Sequence, residues 1–239
     1  MINLARHLHT VTNKVTMNNK TILLFSFLAL SLNLVAQRKL NEATISYDIV
    51  INTSNAKPKA ADAVDGSVSV IYLKGNSSRS EMITPLGNQH TIIDGKSGNV
   101  TVLREWGAQK YMITMTPANW KEYNKKYENI TFKYLEEYKV IAGYNCQKAI
   151  GSLNDSAKTT FTVYFTKDLV PVNTDFQYLN KNLPGLAMEY EVIKGGDIHT
   201  YTVSKINFDP VPSTKFEIPT TGYRVLTYEE TKLNQGTNK

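Results

Sequence analysis

Apolar and polar residues alternate with a period of two along most of this chain, and that rhythm commits its backbone to extended strands. Ala43, Ile45, Tyr47, Ile49 and Ile51 alternate with Thr44, Ser46 and Asp48, which places one apolar face on a strand. The same reading fits Val68-Val70-Tyr72, Val100-Val102, Tyr111-Ile113-Met115, Phe161-Val163-Phe165, Leu186-Met188-Tyr190-Val192 and Tyr201-Val203. Turn residues fall between them at Lys74-Gly75-Asn76, Pro85-Leu86-Gly87-Asn88, Asp94 to Asn99 and Gly195-Gly196-Asp197. Strands spaced roughly ten residues apart predict a meander. The fold class is therefore mainly β, an antiparallel meander that curls into a barrel or a half-barrel. Polar residues on the alternate positions argue against an all-parallel sheet, which would read as continuous apolar runs.

One segment breaks the rhythm. Trp120, Tyr123 or Asn124, and Tyr127 recur at helical spacing after Thr116, a good N-cap, and Pro117, a good first helical residue. A short amphipathic helix is expected there, on the open side of the sheet or across its mouth. Residues 54–65 read as a loop or one weak helical turn. The polar end from Thr231 to Lys239 is expected to fray.

The first 36 residues carry Arg6, Lys14 and Lys20 and no acidic residue. An apolar run from Ile22 to Leu30, weakening to Leu34, leads to Leu34-Val35-Ala36-Gln37. This is the pattern of a secretory signal peptide cleaved between Ala36 and Gln37, and the run is short for a bilayer span. Met17 is an alternative start. The expected organisation is an extension and leader over 1–36 and a single β-rich domain over 37–239, without a membrane span. An exported location follows. Of 27 basic residues, removal of those three leaves 24 against 21 acidic ones, and no Lys/Arg cluster suited to phosphates remains. Nucleic acid is not an expected partner. Lys121, Lys125 and Lys126, interleaved with Glu122 and Glu128, read as a solvated face.

No catalytic apparatus is legible, and no metal or cofactor is implied. Gly95-Lys96-Ser97 resembles the tail of a phosphate loop, but position 90 is His90 rather than the required glycine, and a strand follows. A hairpin turn is expected instead. His90 and His199 lie outside any zinc spacing, and no Gly-x-Ser-x-Gly elbow occurs. Cys146, the sole cysteine, closes no internal disulfide and reads as a small buried residue rather than a reactive thiol.

Twenty-four aromatic residues, 14 of them Tyr, are spread through the chain. In an open half-barrel those on the strand faces would line an apolar groove able to take an acyl chain. The candidate lining is Tyr47, Ile49, Tyr111, Ile113, Trp120, Phe161, Val163, Met188 and Tyr190. A filled core is the alternative. It would make the chain a structural or protein-interaction module of the envelope.

Three blocks in order carry a resemblance: Ile141-Ala-Gly-Tyr-Asn-Cys-Gln-Lys-Ala149, Val163-Tyr-Phe-Thr-Lys-Asp-Leu169 and Leu183-Pro-Gly-Leu-Ala-Met-Glu-Tyr190. Together they resemble the GLPGLI family and its relatives, exported proteins of Gram-negative bacteria. Asn182 and Ala187 depart from the signature at its first Gly and final Ile. The resemblance implies the fold of the lipoprotein carriers LolA and LolB, a curved antiparallel sheet forming an incompletely closed barrel with helices on its open side. It also implies a periplasmic, outer-membrane-associated or secreted location, and binding of a lipid or lipidated envelope partner. In physical terms Gly143 would supply the positive φ of a tight turn, and Pro184-Gly185 a turn delivering Leu186 and Met188 inward.

Overall fold

The computed structural model describes residues 37–52, 66–194 and 196–236. The expected leader, its Ala36 cleavage residue and the 54–65 loop lie outside them. Six strands form the meander: β2 (Glu42–Asn52), β3 (Val68–Lys74), β4 (Ser77–Thr84), β5 (Gly87–Ile93), β6 (Val100–Trp106) and β7 (Gln109–Met115), after a short β1 (Arg38–Leu40). Helix α1 (Pro117–Tyr123) follows, then β8 (Thr131–Ile141), β9 (Tyr144–Ser152), β10 (Thr160–Thr166) and β11 (Leu169–Pro171). The chain ends with β12 (Leu186–Lys194), β13 (Asp197–Asn207), β14 (Arg224–Thr227) and helix α2 (Tyr228–Gly236). Twelve strands make one curved sheet in the order β14-β7-β6-β5-β4-β3-β2-β13-β12-β10-β9-β8. Its end strands β14 and β8 do not pair with each other, so the barrel stays open.

Alternation explains the inner face. Ala43, Ile45, Tyr47 and Ile49 are buried, while Thr44, Ser46 and Asp48 on the opposite side are not. They join Met188, Tyr201 and Val203 in the central core. A second cluster gathers Phe161, Val163, Phe165 and Ala187 around Leu183, and a third gathers Val100, Val102, Ile113 and Met115 beneath Trp120 and Tyr228.

Strand β3 is a correction. Its buried residues are Ser69, Ile71 and Leu73, not the expected face of Val68, Val70 and Tyr72. Both faces of this strand are covered, so alternation loses its meaning there. The outer cover is a strap, residues 208–223, which follows β13 across the back of the sheet. Val211 anchors it, donating its N–H to Glu42 at 2.8 Å and accepting from Lys74 at 2.6 Å. Lys215 sits over the Tyr72 ring, and its carbonyl accepts from Arg79 at 3.1 Å. Tyr223 covers Ile92, Leu103 and Met112, and the chain then pairs in parallel with β7 as β14.

Local chemistry fixes the connections. Asp94 accepts hydrogen bonds from the N–H groups of Lys96 (3.0 Å) and Ser97 (2.7 Å), so the Gly-Lys-Ser triplet is a hairpin turn. Gly143, with φ +85°, and Ala142, with φ +48°, make the tight β8–β9 turn. Thr116 caps α1, accepting from the Asn119 N–H at 3.2 Å while the Asn119 side chain answers at 3.1 Å. The chain end expected to fray is helical to Gly236. Thr227 and Glu230 form a second reciprocal cap there, which holds the first turn.

Candidate functional site

Above the inner face lies a cleft of about 210 Å³. Its floor is Ser69 and Ile71 of β3, Ser80 and Met82 of β4, and Gln89 and Thr91 of β5. Tyr190 and Val192 of β12 and Tyr201 of β13 form the facing wall. The roof is a two-part 3-10 segment, Asp175–Asn180, kinked at Gln177, together with Tyr127 after α1. Polar residues stand opposite one another across β4 and β5, where Ser80 pairs with Thr91 and Met82 with Gln89. These inward polar positions are what separates the cleft from a closed core.

Three interactions hold the roof. Gln177 takes the place of a neighbouring strand, donating to the Gly185 carbonyl and accepting from the Ala187 N–H, both at 3.3 Å. The Tyr178 hydroxyl donates to the Glu128 carboxylate, which also pairs with Lys181 at 2.9 Å. Trp120 meets the Tyr178 ring edge-on at 6.2 Å. Asn180 is 1 % exposed, yet its Oδ1 has no hydrogen-bond partner among the described residues. A buried acceptor left without a partner carries a desolvation cost that the other contacts of the roof offset.

The tyrosines of the wall are arranged for packing. Tyr190 stacks on Tyr201 with centroids 4.9 Å apart, and Tyr47 meets Tyr190 edge-on at 5.8 Å. Tyr47 donates its hydroxyl to the Ala187 carbonyl at 2.9 Å. Burial raises the Tyr201 phenol to about 12 and pushes Tyr47 and Tyr190 up as well, so none ionises in neutral solution. These are uncharged surfaces for a ligand.

The cleft has neighbours. An inner side cleft of about 230 Å³ shares Tyr127, Leu179 and Val192 with it and adds Phe161, Leu153 and Ile193. That side cleft in turn shares Lys126, Leu153 and Asp155 with a broad outer cleft of about 780 Å³ beside α1. Tyr127, Leu179 and Val192 are thus walls common to the roofed cleft and the side cleft.

Of the residues expected to line a groove, Tyr190 lines the roofed cleft and Phe161 the side cleft. Tyr47, Ile49, Val163 and Met188 lie in the packed core beneath, each 4 % exposed or less. Ile113 and Trp120 belong to the cluster under α2, and Tyr111 pairs with β14 at the sheet end. The roof residues and the inward Ser, Thr and Gln side chains were missed. Their signal was weak alternation of polar residues, Ser78-Ser80-Met82 against Gln89-Thr91-Ile93.

Gly143 and Pro184-Gly185 occupy their expected turns, and Leu186 and Met188 are fully buried beyond the latter. Gly185 is where backbones touch: a Cβ there would lie 1.9 Å from the Thr166 carbonyl oxygen. Cys146 is wholly buried, and burial pushes its thiol up to about 11. A nucleophilic cysteine needs the opposite shift. His90 lies on the outer face, its Nδ1 buried without a hydrogen-bond partner among the described residues and 3.9 Å from Glu81. No group of three or more His, Cys, Asp or Glu able to hold a metal occurs among the described residues.

A family model described as "Domain of unknown function (DUF4412)" matches residues 59–191, more than half of the chain. The match is to this model rather than to the GLPGLI signature, from which Asn182 and Ala187 already depart. No curated protein matches. Among solved structures the chain is similar to PNGF-II, with 14 % identity, a TM-score of 0.45, and coverage of 79 % of this chain and 32 % of that one. It is similar to MucB (12 %, TM-score 0.40, 82 % and 64 %) and to the LolA superfamily protein NE2245 from Nitrosomonas europaea (12 %, TM-score 0.34, 76 % and 92 %). The chain thus spans about a third of the PNGF-II structure.

Proposed function

Because the chain belongs to the DUF4412 family, a domain of unknown function, its role has to be read from the cleft, and we propose that it is a non-catalytic, exported cell-envelope protein that holds a lipid, an acyl chain or a lipidated partner. The observation that carries this reading is the roofed cleft itself. Ile71, Met82, Phe176, Leu179, Val192 and the Tyr190–Tyr201 stack give it mostly apolar walls, while Ser69, Ser80, Gln89 and Thr91 supply polar positions on its floor. Ligand sites combine apolar walls with a few placed polar groups in this way. Ligand pockets commonly measure roughly 300–1,000 Å³. At about 210 Å³ the roofed cleft suits one chain or the end of one rather than a whole two-chain lipid. Export is supported by the leader-like pattern before Gln37. No described helix is long and apolar enough to cross a membrane.

The alternative, recruitment of a protein partner by an open sheet edge, is disfavoured by β8. That edge strand has a register shift between Tyr134 and Tyr138 and carries Lys133, Glu136, Glu137 and Lys139, the usual defences of an exposed edge. Titration with the neutral fluorophore N-phenyl-1-naphthylamine tests the cleft. Saturable one-to-one binding, lost when Ser80→Phe fills the floor, is expected. A linear, unsaturable response in the folded protein would remove the proposal.

A further inference from the structure

The way out of the cleft is charged, and its charges are not balanced. The outer cleft is lined by Lys121, Lys125 and Lys126 with Glu122, Glu128 and Asp155. Sequence order alone makes this a mixed, solvated face. The structure commits two of the three acids elsewhere: Glu122 pairs with Lys232 at 3.2 Å, and Glu128 pairs with Lys181 at 2.9 Å. None of the three lining lysines has an ion-pair partner among the described residues. The carboxylates these lysines meet are therefore already engaged, Glu122 and Glu128 by other lysines and Asp155 by the Thr159 N–H at 2.9 Å. Further in, Glu191 of the side cleft is turned to the Thr162 N–H at 2.7 Å.

Geometry links this positive rim to the apolar interior. Lys126 lines both the outer and the side cleft, with its ammonium 4.7 Å from the Tyr127 ring centroid. Tyr127 is itself shared between the side cleft and the roofed cleft. A molecule entering past Lys126 meets Leu153, Phe161 and Ile193, then Tyr127 and Leu179, then the tyrosine wall.

Resting on the cleft reading above, we infer that the ligand is a single-chain anionic amphiphile of the fatty-acid type. Its carboxylate is held at Lys121, Lys125 and Lys126, and its tail runs past Tyr127 and Leu179. An anion there gains from three cations without having to break an existing ion pair. A cationic head would meet the same lysines as repulsion, and a neutral head would gain little.

Displacement of N-phenyl-1-naphthylamine by three twelve-carbon amphiphiles, each below its micellar concentration at pH 8, tests this. Dodecanoate, dodecyl maltoside and dodecyltrimethylammonium share a tail and differ in head charge. Dodecanoate is expected to bind about tenfold more tightly than dodecyltrimethylammonium at low salt, the scale that several partly exposed charge contacts supply together. Added salt narrows the gap. The triple variant K121Q/K125Q/K126Q, all at exposed positions, should bring the two within about twofold while leaving dodecyl maltoside unchanged. Equal binding by the three amphiphiles, or a preference that survives in the triple variant, overturns the headgroup assignment and leaves the cleft reading standing. Failure of all three to displace the fluorophore overturns the cleft reading and this inference with it.

Discussion

Tyr190 lies flat on Tyr201, the two rings 4.9 Å apart and within 2° of parallel across neighbouring strands. The pair stands directly opposite in the β12–β13 register, so one face of the stack closes the core and the other forms the cleft wall. Tyr47 seals the stack from below by its edge-on contact with Tyr190.

Removing one ring should therefore damage both core and cleft. Tyr190→Ala is expected to cost roughly 3–5 kcal/mol in urea unfolding, the usual range for deleting a large buried ring. Tyr190→Phe keeps the stack and gives up no hydrogen bond among the described residues, so it should cost under about 1 kcal/mol. A loss for Phe as large as that for Ala would show that the hydroxyl, not the ring, matters.

Much of the scaffold could be read from residue order. The rhythm of β2, the Asp94 turn and the Thr116 cap are local, and each is enforced by side chains within a few positions of one another. What escaped was non-local. The face of β3 was read in reverse because the strap that covers Tyr72 arrives about 140 residues later, through Lys215. The roof escaped because Asp175–Asn180 has neither strand nor helix periodicity, and the Gln177 side chain is held by the distant backbone of Ala187 in β12. The polar floor escaped because inward-facing Ser, Thr and Gln look like solvent-facing ones until the opposing strand is known.

The Glu128 clasp predicts an acid-sensitive roof. Hydrogen bonds from Tyr178 and then Lys181 hold its carboxyl below the ordinary value of 4.5, while burial and the Glu128 charge raise the Tyr178 phenol. A depressed carboxyl contributes stability above its unfolded value and loses it as pH falls through the folded one. Amide exchange at Tyr178–Asn180 should stay slow at neutral pH and quicken beyond its intrinsic pH dependence below about pH 4.5. In Glu128→Gln it should be fast throughout, with roughly 1 kcal/mol lost in global stability. Unchanged protection in that variant would mean that Gln177 alone keeps the roof down.

A separate titration belongs to the outer face. Burial, then the Arg79 charge, lowers His90 from its ordinary 6.5, while Glu81 and Glu105 oppose this and Lys215 adds to it. The unfolded chain thus takes up a proton first, and stability should fall as pH drops from about 6.5 toward the lowered value, then level off. His199 is lowered in the same direction. The double variant His90→Gln/His199→Gln should flatten the decline that begins at about pH 6.5 in thermal melts. A decline that persists unchanged would exclude both imidazoles as its source.

The two family-block glycines should separate cleanly. Gly143→Ala meets open space but keeps a positive φ, costing about 1–2 kcal/mol. Gly185→Ala drives a Cβ into the Thr166 backbone, and a loss above roughly 3 kcal/mol, or failure to fold, is expected. Comparable unfolding midpoints for the two would contradict the close approach of those chains.

The pairing of β2 with β13 joins one of the first strands made to one of the last. Until residues near 200 have been synthesised, the inner face of β2 has a neighbour on only one side, and its row of isoleucines stays uncovered. Such sequence-distant pairing makes for slow folding. A truncation before β13 is therefore expected to leave an aggregation-prone fragment rather than a smaller working sheet.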